Sequence, residues 1–224
     1  MQSPIMRMTM ALLLVAAMSW PGHAQASKKP ATSAGPPLPF TMDFIVKNLN
    51  GLSATLVTDD TTSHPSRWTT AEQIQAVQAT GCQITYSQAQ LLHAVPIRPS
   101  PSHPAAVGAH RWRTTLLLSQ LSPSVMVKRF VDPATTSVKP VQSVYALLLE
   151  ATRFQQSTKE SFDDPGIFAD GRYDNFSRLN DATPTQSQPE PSKSFGFWFP
   201  DRDTAERVGK AFEHAIELCA GKKQ

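Results

Sequence analysis

The sequence predicts a mainly β domain of the α+β class, a small barrel or sandwich closed by a C-terminal helix. Three observations predict it. Short apolar stretches alternate with a period of two through the middle of the chain, turns rich in Pro, Ser and His separate them, and one amphipathic stripe of helical spacing ends the sequence. Many short strands and one closing helix bury their apolar faces most simply by curling a sheet and covering it.

The first 26 residues read as a cleavable secretory signal peptide. Arg7 stands ahead of an apolar run, Met8 to Met18, that is too short for the ~20 residues a membrane-spanning helix needs. Trp20-Pro21-Gly22 then breaks the pattern, and Ala24-Gln25-Ala26 offers the small residues a signal peptidase accepts, so cleavage is expected between Ala26 and Ser27. The mature protein is therefore expected to be secreted or periplasmic, with no transmembrane span once the signal is removed. Residues 27–39, rich in Pro, Ala and Ser, read as a disordered linker. Residues 40–224 are then one domain, since about 198 mature residues suffice for one core and are few for two.

Within that domain Thr41 reads as a helix cap, because Met42, Ile45, Val46 and Leu49 follow at one-face spacing and Asn50-Gly51 ends the pattern. From Leu52 the period changes to two, and sheet begins. Thr70 to Thr80 is ambiguous: Thr70 with Gln73 resembles a capping box, yet Ile74 and Val77 are its only large apolar residues, so a short strand or turn is expected. Further strands are expected at Gln83 to Ser87, Leu91 to Val95, Trp112 to Leu118, Val125 to Phe130, Val141 to Ala151 and Ser194 to Phe199. The last helix carries Ala205, Val208, Phe212, Ala215 and Cys219 on one stripe, with Asp203 and Glu206 as its capping pair.

Two cysteines remain in the mature chain, Cys82 and Cys219. An even pair in an exported protein is the arithmetic of one disulfide. Cys82 shares a strand face with Ile84 and Tyr86, while Cys219 ends the helical stripe, so both sulfurs are expected to face inward. Two buried free thiols are the alternative. A metal site is disfavoured, because two cysteines without histidines at ligand spacing leave the tetrahedral set incomplete.

The tail Phe195-Gly-Phe-Trp-Phe199, Ala205-Glu-Arg-Val208 and Ala211-Phe-Glu-His-Ala-Ile-Glu-Leu-Cys-Ala-Gly221 resembles the last strand and capping helix of uncharacterised exported bacterial proteins built on a pleckstrin-homology-like barrel. Leu116-Leu-Leu-Ser-Gln-Leu-Ser-Pro-Ser-Val125 is similar to a strand-turn-strand of that group. The resemblance implies a small pleckstrin-homology-like barrel, a fold whose members often bind lipids, peptides or proteins without catalysis. Its motifs speak to fold and not to activity. This chain departs from the small barrels by a long loop insertion at about 155–193.

Charge and motifs narrow the function further. Removing Arg7 from the 21 basic side chains leaves 20 against 18 acidic, and the densest basic runs are pairs such as Lys28-Lys29, which argues against nucleic acid. No nucleophile elbow, phosphate-binding glycine loop, His-Glu-x-x-His or Cys-x-x-Cys occurs, so no catalytic residue, metal ligand or cofactor is assigned. His214 is placed half a turn from the apolar stripe and is expected to face water. His64, His103 and His110 lie in polar turns, and His93 in a strand. The acidic stretch Asp163 to Asn175 has the wrong spacing for an EF-hand loop and reads as turn chemistry.

Phe162, Phe168, Tyr173 and Phe176 stand in the otherwise polar insertion. They are candidate anchors for a protein or peptide partner, with an ordered flap packed on its own barrel as the alternative. Asp181 to Pro191 reads as disordered. The expected function is a non-catalytic binding or scaffold protein of the bacterial envelope. The alternatives are an enzyme whose catalytic groups are far apart in sequence and a purely structural envelope protein.

Overall fold

In this computed structural model, residues 35–60, 66–96, 106–129, 144–163 and 176–221 are described. The expected cleavage site at Ala26 and Ser27, most of the linker, His64, His103, Phe168, Tyr173 and the segment Asp164 to Asn175 lie outside the described residues. All described residues belong to one unit, residues 35–224.

Helix α1 (Leu38–Leu49) starts earlier than its sequence pattern indicates. Pro37 is its N-cap and Pro39 lies in the first turn, where an absent amide proton leaves no helical bond unmade. Thr41 is therefore not the cap. It sits inside the helix, buried, and its hydroxyl donates back to the Pro36 carbonyl at 3.4 Å. Leu38 and Pro39, expected in the linker, are helical. Met42, Ile45 and Leu49 face the core, and Gly51, with a φ of 81°, takes the left-handed conformation that follows the helix.

Among the described residues eight strands follow: β1 (Ser53–Asp60), β2 (Ser66–Thr80), β3 (Gln83–Pro96), β4 (Ala106–Leu117), β5 (Met126–Arg129), β6 (Tyr145–Phe162), β7 (Gln186–Pro189) and β8 (Ser192–Phe199). All pairings are antiparallel, and the strands run β1-β2-β3-β4-β6 through the sheet. The N-terminal half of β6 is flanked by β5 and β8, and its C-terminal half by β4 and β7. At the changeover Gln155, only 2% exposed, accepts from the Leu117 amide at 3.0 Å and donates to the Gln120 side chain at 3.0 Å. Those two bonds satisfy the frayed end of β4 where a 3-10 turn, Leu118–Gln120, leads to β5.

Several strands are longer than their apolar content indicates. Gln83 to Ser87 and Leu91 to Val95 are one strand, β3. Thr70 to Thr80 belongs to β2, and its mixed pattern has a physical cause: a bulge between Gln75 and Gln78, with Ala76 at a φ of 51°, puts Ile74 and Val77 in the same core although they are three residues apart. A helix-like spacing is thus produced by a strand.

The sheet does not close into a barrel. Trp198 of β8 packs with Ala54 and Leu56 of β1 and with Val144, so the two ends of the sheet meet through side chains, and no ladder joins β1 to β8 among the described residues. The 155–193 segment, expected as a loop insertion, is regular where described. It completes β6, forms the short helix α2 (Phe176–Asp181) and β7, and begins β8. Asp181 to Pro191, expected to be disordered, includes β7. Gln186 to Pro189 are exposed and have no apolar side chain to bury, so only the ladder to Thr158–Ser161 of β6 holds them.

The main core lies between one face of the sheet and helices α1 and α3 (Arg202–Ala220). Ile84, Leu116, Leu147, Phe197 and Phe212 are at its centre, and the rings of Phe197 and Phe212 stack at 5.9 Å. The helical stripe Ala205, Val208, Phe212, Ala215 and Cys219 is buried as the sequence pattern indicates. Its cap lies earlier than expected: Asp201, not Asp203, accepts from the Thr204 amide at 2.7 Å. Gly209 lets the helix approach β6, since a Cβ there would stand 3.0 Å from Leu147. The Cys82–Cys219 disulfide forms, with Cα atoms 5.7 Å apart, and ties the β2–β3 turn to the end of α3.

Candidate functional site

On the core-side face of the sheet, cross-strand rows change character along the strands. Ile84 and Leu116 oppose each other in the apolar core. The next row is Tyr86, Thr114 and Ser157, in which Thr114 and Ser157 share a hydrogen bond of 3.0 Å. Beyond it come Gln88, Trp112 and Lys159, and then Glu72, Gln90, His110 and Ser161. Alternation alone puts these side chains inward, because each strand that buries an apolar residue at one position must present the residue two places on to the same side. This face therefore runs from an oily core to a polar, half-buried stretch in which Glu72 is the buried member.

Glu72 is the most perturbed group in this region. It is 3% exposed, and one carboxyl oxygen, Oε1, has no hydrogen-bond partner. Burial pushes its pKa up to about 8, with a hydrogen bond from Gln88 pulling the other way. The carboxyl is thus protonated at neutral pH. Burial also raises the Tyr86 phenol, which stays neutral. His110, half-buried, has its pKa lowered by burial and by Lys159, and its Nδ1 is 3.1 Å from the Ser161 hydroxyl. Lys159 lies over the Trp112 ring at 5.3 Å and reaches Glu190 at 3.8 Å.

A cavity of about 300 Å³ opens along these rows, lined by Tyr86, Gln88, Gln90, Trp112, Glu190 and Ser194 among others. Glu72 pairs directly with Gln90 in the β2–β3 ladder and lies on the same face. A second, wider depression of about 710 Å³ includes Ser87, Arg113, Thr115, Gln156 and Pro191. Arg113 there is well exposed, and no buried side chain among the described residues beside it lacks a partner. The inner cavity is the stronger candidate, since it is the one beside an unsatisfied buried polar atom.

The residues singled out in the sequence fall elsewhere. Cys82 and Cys219 are bonded to each other. Phe162 and Phe176 are each 4% exposed and form a second, smaller core with Ala71, Leu91, Ala109 and Leu179 on the opposite face of the sheet, so their rings are not available as anchors. The Arg111 guanidinium stacks on Phe162 at 5.0 Å and pairs with Glu160 at 2.5 Å, which seats that flap firmly. His214, expected in water, has its Nε2 2.8 Å from the Pro36 carbonyl oxygen and packs against Gly35, pinning the chain ahead of α1. His93 has its pKa lowered by burial. Among the described residues no group of three His, Cys, Asp or Glu gathers at metal-ligand distance.

Sequence reasoning missed Glu72, Gln88 and Gln90. The signal was present in part, since a period-two reading of Thr70 to Thr80 puts Glu72 on the face of Ile74. No family model, curated protein or solved structure matches the chain.

Proposed function

We propose that this chain is a non-catalytic binding module of the bacterial envelope, exported by its amino-terminal segment, that holds its ligand on the polar stretch of the inner face beside Glu72. The observation that carries the reading is Glu72 itself. A buried carboxyl with an unpartnered oxygen destabilises a fold that an apolar side chain of similar size would serve better, and such groups are concentrated at functional sites. The disulfide supports an oxidising compartment. Among the described residues no helix is long and apolar enough to cross a membrane. The resemblance of the tail to pleckstrin-homology-like exported proteins supports a fold class that binds without chemistry.

One observation favours a second reading, an enzyme. Glu72, with a pKa of about 8, holds a proton at neutral pH and is paired across the ladder with the cavity-lining Gln90. The two readings separate by experiment. The secreted protein is incubated with the small-molecule fraction of the host envelope, washed, and its bound material is identified by mass spectrometry. The binding reading predicts a compound returned unaltered and lost from a Gln90→Ala variant. A compound returned cleaved or rearranged supports the enzyme, and identical material on both proteins refutes the site.

A further inference from the structure

We infer that the inner cavity takes a small, neutral, hydroxyl-bearing ligand of the sugar class, held by the Gln88 and Gln90 carboxamides beside the Trp112 ring. This rests on the binding-module reading and names the ligand class for the same site.

Charge decides the first part. Among the described residues Glu190 is the one charged side chain in the cavity lining, and Lys159 faces it across 3.8 Å and offsets it. An anion entering here meets Glu190, and a cation competes with Lys159 for that same carboxylate. Neither gains a free counter-charge to offset its lost hydration, whereas a neutral ligand has no charge to desolvate.

Hydrogen-bond chemistry decides the second. A carboxamide and a hydroxyl such as that of Thr114 or Ser157 each both donate and accept. A ligand hydroxyl does the same, so adjacent hydroxyls on one small ring match the lining of Gln88, Gln90, Thr114, Ser157 and Ser194. The Trp112 ring and Phe195 supply apolar surface for the C–H face of such a ring.

Backbone pairing decides the third. In the region of the cavity β3 is paired with β2 and β4, β4 with β3 and β6, and β6 with β4 and β7. Those three walls offer an extended peptide no free edge, and the fourth wall, Ser192 to Gly196 of β8, is paired with β6. The volume of about 300 Å³ lies at the lower end of the roughly 300–1,000 Å³ typical of small-molecule sites, which suits one or two sugar rings and not a polymer.

The test is saturation-transfer NMR and calorimetry on the secreted protein. The neutral probes are glucose, galactose, N-acetylglucosamine, maltose, lactose and chitobiose. Glucuronate, glucosamine and diglycine are the charged and peptide controls. At least one neutral sugar is expected to bind, at least tenfold more tightly than its charged counterpart. Gln90→Ala is expected to weaken sugar binding at least tenfold, and Gln88→Ala gives the same loss from the other carboxamide of the lining. If glucuronate, glucosamine or diglycine binds and the sugars do not, the ligand class is overturned, and loss of that binding in Gln90→Ala shows that the cavity reading survives. Sugar binding unchanged in both variants overturns the site as well, and a wild type that binds none of the probes overturns the inference.

Discussion

Replacing Glu72 by Gln should make the protein more stable at neutral pH, because glutamine keeps the shape and hydrogen-bonding capacity of the protonated acid and removes its titration. In the unfolded chain the carboxyl ionises near 4.5, and in the folded protein it holds its proton up to about 8. Below 4.5 both states are protonated and the group contributes no pH dependence. Between 4.5 and about 8 the unfolded state has released its proton and the folded state has not, so stability falls as pH rises, by about 1.4 kcal/mol per pH unit. By pH 7 the loss is about 3 kcal/mol, and above pH 8 it levels at about 5 kcal/mol. Glu72→Gln should recover that amount at pH 7, a rise in Tm of about 6–12 °C for a domain of this size. Urea unfolding of both proteins at pH 5, 6, 7 and 8 measures the difference directly. His93 and His110 titrate in both and cancel. A variant that is less stable than wild type throughout, or a difference that does not grow with pH, refutes the reasoning.

Four further outcomes follow from the same geometry. Cys82→Ala with Cys219→Ala should lower unfolding stability by up to about 5 kcal/mol, because the bond closes a span of 137 residues; chemical denaturation with and without reductant checks it. Glu160→Ala should lower stability by about 3–5 kcal/mol by leaving the buried Arg111 guanidinium without its carboxylate, and Phe162 should become more exposed in hydrogen-exchange measurements of that flap. Phe212→Ala, at the stacked centre of the main core, should lower stability by about 3–5 kcal/mol in urea titrations. Intact mass of secreted material should begin at Ser27 and rise by two hydrogens on reduction, and an unprocessed mass would count against the signal-peptide reading.

What was legible in the sequence was whatever apolar periodicity encodes. The stripe of α3, the strand at Ser194 to Phe199 and the two sulfurs that meet were all readable because each residue's burial repeats with its element's period. Elements held by something else were hidden. Strand β7 is polar throughout and exists through its ladder to β6, and the bulge at Ala76 disguised β2 by giving Ile74 and Val77 a helical spacing. The start of α1 was hidden by prolines that usually break helices but are tolerated in a first turn.

The site was less legible than the fold. A strand that alternates Gln, Glu and Ser looks solvent-facing on both sides, and only the pairing of β2, β3, β4 and β6 reveals that one of those polar faces is interior. Glu72, Gln88 and Gln90 come from two strands and become neighbours through the register Glu72 to Gln90 and Ile74 to Gln88. Aromatic content pointed instead at Phe162 and Phe176, whose rings stabilise the opposite face.

The most direct measurement is the titration of the Glu72 side-chain carbonyl carbon by NMR in the folded, ligand-free protein, assigned by its absence from Glu72→Gln. A midpoint near 8 is the result predicted for a buried acid with an unsatisfied oxygen. A midpoint near 4.5 would mean that the carboxyl is in water, and the feature on which the inner-face site rests would be gone.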